Sequence, residues 1–145
     1  MVEEAPSTVQ SEGEAFDQPM FRAMKQHSDG YPLVGRSGRT LGVRVVASYR
    51  DLPVAEDGTV APETGGMSVA LEKPGNLPKH RLPRSLGGEG RDPVFRMFAM
   101  FLPETLLLRP DRYPHAYIEP RRRCPLLQFE SGLNDTRNRW SKVHE

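Results

Sequence analysis

The sequence predicts an α+β fold that is mostly strand, has few helices and ends in one amphipathic helix. Short apolar segments, several of them rich in Val or Leu, alternate with turn signals along most of the chain. The 145 residues include 14 Pro and 13 Gly, which favour short strands and many turns over long helices. Only near the C-terminus do apolar residues recur at helical spacing.

Several strands are expected, and a tail precedes them. Residues 1–18 are acidic and carry little apolar surface, which predicts a loose tail before a single domain at residues 19–145. The first strand also fits a single helical turn, and the fourth follows a helix N-cap signal. The predicted strands lie at residues 20–24, 41–47, 67–71, 94–101, 106–108 and 115–119.

A long connection is predicted between two of these strands. Residues 72–92 contain three prolines and the glycine cluster GGEG, which oppose both a helix and a central strand. Loops of about 20 residues inside a domain tend to be lids or binding surfaces. We therefore expect this loop to contribute to a functional site.

The C-terminal segment predicts an amphipathic helix over residues 125–142. Its large apolar residues fall at or near helical spacing: Leu126, Phe129, Leu133 and Trp140. Basic residues in the final turns would oppose the negative end of the helix dipole. This helix is expected to close the domain.

Composition opposes several kinds of site. The single cysteine, Cys124, allows no internal disulfide and no zinc site of paired cysteines. The four histidines include no pair at i, i+4, so no helical metal site is expected. No apolar run approaches the roughly 20 residues of a membrane span, and the acidic start is unlike a secretory signal. We therefore expect no metal, no membrane partner and a cytoplasmic location.

The charge distribution gives only a weak signal for nucleic acid. The formal net charge of +1 at pH 7 supplies no bulk attraction to phosphates. The chain is nonetheless acidic at its start and basic at its end. The triple arginine at residues 121–123 is either a solvated run or a contact surface for protein or RNA.

Three segments, in order, carry a resemblance to a known family. They are FRA at residues 21–23, GGMSV at 65–69 and HAYIEP at 115–120. They resemble the bacterial type VI secretion effector toxins with an ADP-ribosyltransferase-like fold, and the fungal relatives of those toxins. Two connecting segments, GRTLGVR at 38–44 and LPKHRLP at 77–83, resemble the fungal relatives. The resemblance spans residues 20–142, and GGMSV is its most specific part.

The resemblance implies a fold, a substrate and an activity. The fold would be a split, strongly curved pair of β-sheets with NAD held in the cleft between the halves. The wider enzyme class has an arginine on the first strand, a serine-containing strand and a later glutamate, which Arg22, Ser68 and Glu119 match in order. The implied activity is that of a toxin that moves ADP-ribose from NAD to a macromolecular acceptor. A cognate immunity protein is implied for bacterial relatives.

Glu119 is the candidate for the catalytic carboxylate. Cleavage of the bond between nicotinamide and ribose develops positive charge on the sugar, which a carboxylate stabilises selectively in the transition state. The same group could accept a hydrogen bond from the ribose 2′-hydroxyl and orient the nucleophile. The alternative is an exposed glutamate at a strand edge. Transferases that modify arginine usually have a second acid two residues before this glutamate, and here that position is Tyr117. Arginine is therefore not the predicted acceptor.

The first two motifs supply candidates for NAD binding. An arginine fork can hold a pyrophosphate through two parallel charge-assisted hydrogen bonds, which favours Arg22 for that role. Gly65 and Gly66 would permit close backbone approach to the ligand, and the Ser68 hydroxyl would fix the arginine or the ribose. The alternatives are a surface arginine and a plain turn before an edge strand.

His115 and Tyr117 complete the candidate site. They share a strand face with Glu119, because the three residues are two positions apart. Either side chain could contact the ligand. The resemblance places a histidine of the bacterial toxins at His115, so His115 joins Ser68 and Glu119 as a catalytic candidate and Tyr117 joins the NAD-binding set.

Three functions are compatible with the sequence. The first is transfer of ADP-ribose from NAD to a macromolecule. The second is NAD hydrolysis on the same fold, with water in place of the acceptor. The third is a non-catalytic domain in which the long loop and residues 121–123 contact protein or RNA.

Overall fold

The computed structural model describes residues 18–46 and 48–144, and a mostly antiparallel sheet dominates them. The described strands are β1 (Pro19–Ala23), β2 (Thr59–Val60), β3 (Met67–Leu71), β4 (Val94–Phe98), β5 (Leu106–Pro110), β6 (His115–Pro120), β7 (Cys124–Pro125) and β8 (Ser141–Lys142). One α-helix, α1 (Leu126–Asp135), is present within the described ranges. The predicted α+β class, mostly strand with one helix near the C-terminus, is confirmed.

Six strands lie side by side in the order β5-β6-β3-β1-β4-β8, and each pairs with its neighbours in antiparallel fashion. Strands β2 and β7 form a separate antiparallel pair. The core is built from alternate residues of the central strands together with the apolar face of α1, where Phe129 and Leu133 are 0% and 1% exposed. Burying one such side chain stabilises the fold by about 1.5–3 kcal/mol.

Strands β1 and β3 pair over only part of their length. Strand β1 pairs with β4 along its whole length, from Pro19 to Ala23. Its pairing with β3 is limited to Met20 with Leu71 and Phe21 with Ala70. The sheet therefore opens beside Arg22, and this opening positions the candidate site described below.

Most of the predicted strands are confirmed. The first is a strand, not a helical turn, and β3 has the predicted bounds. Met67, Val69 and Leu71 are buried, while Ser68 on the opposite face is half-buried. The strands predicted at 106–108 and 115–119 extend to Pro110 and Pro120.

The long connection at residues 72–92 is also confirmed as a segment without strand or α-helix. It contains two single turns of 3₁₀-helix, Pro74–Asn76 and Arg84–Leu86. The prolines explain this, since each removes a backbone donor that a helix or a central strand would need. The predicted tail at residues 1–18 lies outside the described residues except for Gln18, and it stays a prediction.

The predicted strand at residues 41–47 is wrong for the part of the segment that the structure describes. Leu41 and Val43 are 1% and 0% exposed, but they are buried without pairing in the sheet. The Arg44 backbone N–H donates instead to the Asp51 carboxylate. The valines therefore reflect burial and not a strand.

The fourth strand is shorter than predicted. Residues 94–101 were expected to be a single strand, but β4 ends at Phe98 and one 3₁₀ turn, Ala99–Phe101, follows it. The Ala99 N–H still donates to the Gln18 carbonyl in the register of β4 with β1, and the chain then turns as the Leu102 N–H donates to the Ala99 carbonyl at 3.0 Å. The predicted strand thus holds for its first five residues.

The C-terminal helix is likewise shorter than the predicted 125–142. It ends at Asp135, and a 3₁₀ turn, Arg137–Arg139, and β8 come after it. The Thr136 hydroxyl donates to the Leu133 carbonyl and accepts the indole N–H of Trp140, so it turns the chain and seats Trp140 in the core. Strand β8 then pairs with the edge of β4. The helical spacing of Trp140 in the sequence therefore does not mark a continuous helix. Trp140 is apolar at that position because its side chain packs in the core after the helix has ended.

Candidate functional site

A cleft of about 300 Å³ opens where β1 and β3 separate. This volume is at the lower end of the roughly 300–1,000 Å³ typical of ligand sites. Arg22, Ser68 and His115, three of the residues predicted from the sequence, line it. The long loop closes one side through residues 76–78, 80 and 81. The structure thus brings together side chains from three separate motifs.

Arg22 is buried, with 6% exposure, which rules out the surface-arginine alternative. Its Nη1 donates to the Ser68 carbonyl at 2.8 Å. Its Nε and Nη2 donate to the Thr40 carbonyl at 3.1 and 2.9 Å, and Nη2 also lies 3.3 Å from the carbonyls of Ser37 and Gly42. A guanidinium has five N–H donors, so one N–H of Nη1 is without a partner among the described residues.

The positive charge of Arg22 lacks a carboxylate ion pair within the described part of the chain. Burial lowers the pKa of Arg22 to about 10, and the negative charge of Asp51 partly offsets this effect. The nearby cations Arg81 and Arg44 lower the pKa further. Because 10 is well above neutral pH, Arg22 stays charged and contributes a cation to the cleft.

Ser68 offers the cleft a free hydroxyl. It is half-buried, and its side chain makes no hydrogen bond to any described residue. It lies opposite Tyr117 in the register of β3 with β6. Strand β3 is flanked by β6 and β1, so the alternative of a plain edge strand is wrong. A hydroxyl at this position can donate to a ligand oxygen and accept from a ligand hydroxyl.

His115, the first residue of β6, presents an imidazole to the cleft. Its Nδ1 lies 3.2 Å from Oδ2 of Asp111, which leaves Nε2 without a partner among the described residues. The ring meets Tyr117 edge-on at 4.6 Å between ring centroids. Tyr117 does not itself line the cleft; burial and the charges of Asp111 and Asp51 raise the pKa of its phenol. Tyr117 therefore supports His115 from beside the cleft.

Glu119 lies outside the lining of the cleft. It is 1% exposed, so the alternative of an exposed edge glutamate is wrong. Its Oε2 accepts a hydrogen bond from Nε of Arg109 at 2.6 Å, and its Oε1 accepts the backbone N–H of Glu63 at 3.0 Å. These two partners supply the hydrogen bonds that a buried carboxyl group needs. The structure does not bring Glu119 into contact with Arg22, Ser68 or the cleft.

Gly65 and Gly66 approach the protein's own backbone and do not line the cleft. Gly65 has a φ of 136°, and a Cβ there would lie 2.1 Å from the Asp51 carbonyl oxygen. A Cβ on Gly66 would lie 2.4 Å from the Ile118 carbonyl oxygen. Both glycines let β3 start in close contact with its neighbours.

Five further polar residues of the cleft were not among the candidates from the sequence: Arg44, Asp51, Asn76, His80 and Arg81. Asp51 accepts Nη2 of Arg44 at 2.7 Å and the Arg44 backbone N–H at 2.7 Å. Arg81 and His80 belong to the long loop. The signal that could have found them is the basic sequence LPKHRLP inside a loop already predicted to be functional.

The arginine run at residues 121–123 is occupied by contacts within the chain. Arg121 donates to the Glu104 carbonyl at 2.8 Å, and Arg122 pairs with the Glu104 carboxylate at 2.6 Å. Arg123 donates to the Thr59 hydroxyl at 2.8 Å. All three guanidinium groups therefore have partners, which weakens the case for a nucleic-acid contact surface here.

In residues 18–46 and 48–144, no group of three or more His, Cys, Asp or Glu side chains is placed to hold a metal ion. No helix in the same ranges is long and apolar enough to cross a membrane. Cys124 is buried as a free thiol, and burial raises its pKa.

No protein-family model and no curated protein matches the sequence. The chemistry of the cleft is therefore the basis on which a function is assigned.

Proposed function

We propose that this chain binds NAD in the cleft and transfers ADP-ribose from it to a macromolecular acceptor, as a toxin of the ADP-ribosyltransferase class. One observation carries the proposal. Arg22, Ser68 and His115 come from three motifs far apart in the sequence, and they line the same cleft. These are residues through which the sequence resembles the type VI secretion effector toxins.

The charge of the cleft suits an anionic dinucleotide. Arg22, Arg44 and Arg81 line it, against the single carboxylate of Asp51 among the lining residues. NAD carries a diphosphate, and arginine is the side chain that best matches phosphate oxygens. The modest volume leads us to place the diphosphate and one nucleoside inside the cleft, with the rest of NAD outside it.

The proposed reaction uses the cleft residues as follows. The bond between nicotinamide nitrogen and ribose C1′ breaks, and its electron pair leaves with nicotinamide. The acceptor nucleophile forms the new bond to C1′, and its proton passes to Nε2 of His115, which Asp111 holds through Nδ1. The Ser68 hydroxyl hydrogen-bonds the ribose. The Glu119 carboxylate would stabilise the sugar cation after its hydrogen bonds from the Glu63 N–H and from Arg109 have broken.

The test measures nicotinamide release and acceptor labelling. Purified protein is mixed with NAD and a cell lysate, and the Ser68→Ala and His115→Asn variants are compared with the wild type. His115→Asn is expected to reduce nicotinamide release by about 10²-fold or more, since a positioned proton acceptor contributes about 10²–10⁴ to the rate. Ser68→Ala is expected to reduce it by about tenfold, since one hydrogen bond to the ribose is lost. The matched controls are Ser85→Ala and His27→Asn, two exposed positions that do not line the cleft. These are expected to retain the wild-type rate.

Three results would decide the matter. Nicotinamide release with labelled acceptor, lost in the two cleft variants only, supports ADP-ribosyl transfer. Release of nicotinamide without a labelled acceptor would mean that the protein is an NAD hydrolase that uses the same cleft. Absence of release by the wild type with every lysate tried would overturn NAD chemistry. Expression in a bacterial cell adds the toxin arm, where only the wild type and the two controls should arrest growth.

A further inference from the structure

Arg81 is an unpartnered guanidinium that lines the cleft. Its side chain makes no hydrogen bond or ion pair with any described residue. It lies directly over Gly38, where an added Cβ would be 2.6 Å from Nη2 of Arg81. A residue with a side chain at position 38 would therefore collide with the guanidinium of Arg81, and Gly38 avoids this collision.

The long loop holds Arg81 in place. The backbone N–H groups of Arg81 and Leu82 both donate to the Pro78 carbonyl at 2.9 Å. Leu82 is 7% exposed, and its carbonyl accepts the Gly90 N–H at 2.8 Å. Arg81 thus extends from a backbone turn anchored by a buried leucine, which limits the entropy lost when it binds a ligand.

The charges that face the cleft are unbalanced. Asp51 is committed to Arg44, which donates to it through Nε, Nη2 and the backbone N–H. Arg22 donates only to neutral carbonyls, and the Arg81 side chain makes no hydrogen bond or ion pair with a described residue, although its charge helps to lower the pKa of Asp92. The two guanidinium groups repel each other, since the charge of Arg81 lowers the pKa of Arg22. Asp51 and Asp92 offset these two positive charges only in part, and the pair suits the two negative charges of a diphosphate.

We propose that Arg81 and Arg22 form a diphosphate subsite, in which the half-buried guanidinium of Arg81 binds the phosphate oxygens and the buried charge of Arg22 adds to the attraction. Arg81 is thereby the residue of the long loop that selects ligands carrying a diphosphate. The inference deepens the proposed function, because NAD is such a ligand, but it rests on anion binding and not on catalysis.

The experiment is a calorimetric titration of the full chain with ADP-ribose, inorganic pyrophosphate and adenosine. Arg81→Gln is expected to weaken binding of ADP-ribose and pyrophosphate by about tenfold or more, because a hydrogen bond to a charged group is lost together with the charge. Arg81→Lys, which keeps the charge but not the planar fork, should fall between Arg81→Gln and the wild type. Arg84→Gln is the matched control, since Arg84 is exposed on the same loop and does not line the cleft. Adenosine, which lacks phosphate, should be insensitive to all three changes.

Two outcomes would overturn the subsite. One is equal affinity of the wild type and Arg81→Gln for both anions, with thermal melts showing that each is folded. The other is no binding of either anion by the wild type. The proposed function fails separately: Arg81-dependent binding of pyrophosphate without any NAD turnover would overturn the enzyme and retain the subsite. Full NAD turnover by Arg81→Gln would retain the enzyme and overturn the subsite.

Discussion

Glu119 shows how the role of one residue depends on its surroundings. Its carboxylate is enclosed by Arg109 and by the backbone of Glu63, whose φ of 68° is unusual for a residue with a side chain. The carboxylate of Glu63 lies 3.5 Å from the same Arg109. The arrangement stabilises Glu119 in the absence of ligand, so a catalytic role requires an exchange of partners.

The residue-scale prediction separates catalysis from structural support at Glu119. Glu119→Gln keeps the shape and an acceptor for the Glu63 N–H, so we expect a loss of about 1–2 kcal/mol in the free energy of unfolding. If the carboxylate acts on the sugar, nicotinamide release should fall by about 10²-fold or more. Chemical denaturation and the release assay measure the two effects.

Arg109→Gln is the matched variant. It retains the Glu119 carboxylate but leaves it with the Glu63 N–H alone, so stability should fall at least as far as in Glu119→Gln. Activity should nonetheless persist, because the group that acts on the sugar is still present. Activities that simply follow the two stabilities would assign Glu119 a structural role only.

At the scale of elements, the close contact of β3 with β6 depends on Gly66. The Cβ of an alanine there would be 2.4 Å from the Ile118 carbonyl oxygen and 3.2 Å from the Glu119 Cα. Both are backbone atoms of β6, so relief requires the two strands to separate. The same contact explains why the motif at residues 65–69 has glycine without placing it against a ligand.

We therefore predict that Gly66→Ala lowers the free energy of unfolding by about 2 kcal/mol or more, as expected for overpacking against a backbone. Gly75→Ala is the control, since nothing lies within 4 Å of a Cβ at Gly75. It should change stability by less than about 0.5 kcal/mol. Equal effects of the two substitutions in a denaturant titration would show that β3 and β6 tolerate separation.

At the scale of the whole molecule, ion pairs connect residues 25–46 to the rest of the fold. This segment contains no strand or helix in its described part, yet it supplies the carbonyls that hold Arg22. Arg39 pairs with Asp92 at 2.6 Å, at the start of β4, and Arg36 pairs with Glu130 on α1 at 2.6 Å. The shape of the cleft therefore depends on charged contacts between distant parts of the chain.

The pairing of Arg39 with Asp92 predicts a dependence of stability on pH. The hydrogen bonds from Arg39 lower the pKa of Asp92, so the unfolded chain takes up a proton there at a higher pH than the folded chain. The stabilisation is complete above the unfolded pKa, about 4, and is lost as the pH falls through the lowered value. Arg39→Gln should thus be less stable than the wild type at pH 7.

Thermal or denaturant unfolding between pH 7 and pH 2 checks this expectation. The difference in the free energy of unfolding between wild type and Arg39→Gln should narrow as the pH falls, because protonated Asp92 no longer forms an ion pair with Arg39. Arg84→Gln, which removes an exposed arginine without a described partner, should follow the wild type throughout. A gap that stays constant to pH 2 would contradict the assigned cause.

The sequence by itself determined the elements whose signals are local. Alternation and turn residues located β1, β3 and β6, because a strand with one face in the core repeats every two residues. It also supplied Arg22, Ser68 and His115, which the fold gathers in one cleft. The prolines of residues 72–92 were enough to predict a long loop in the same way.

Only the tertiary structure decided the rest, because burial and pairing are settled between segments far apart in sequence. The chain at residues 41–46 has strand-like composition but forms a loop with buried valine and leucine side chains, and the Arg44 N–H donates to the Asp51 carboxylate and not to a strand. The helix ends at Asp135 because Thr136 and Trp140 fold back into the core. Glu119 is likewise enclosed by partners from distant segments, whereas Arg81 faces the cleft. No local sequence pattern predicts this difference.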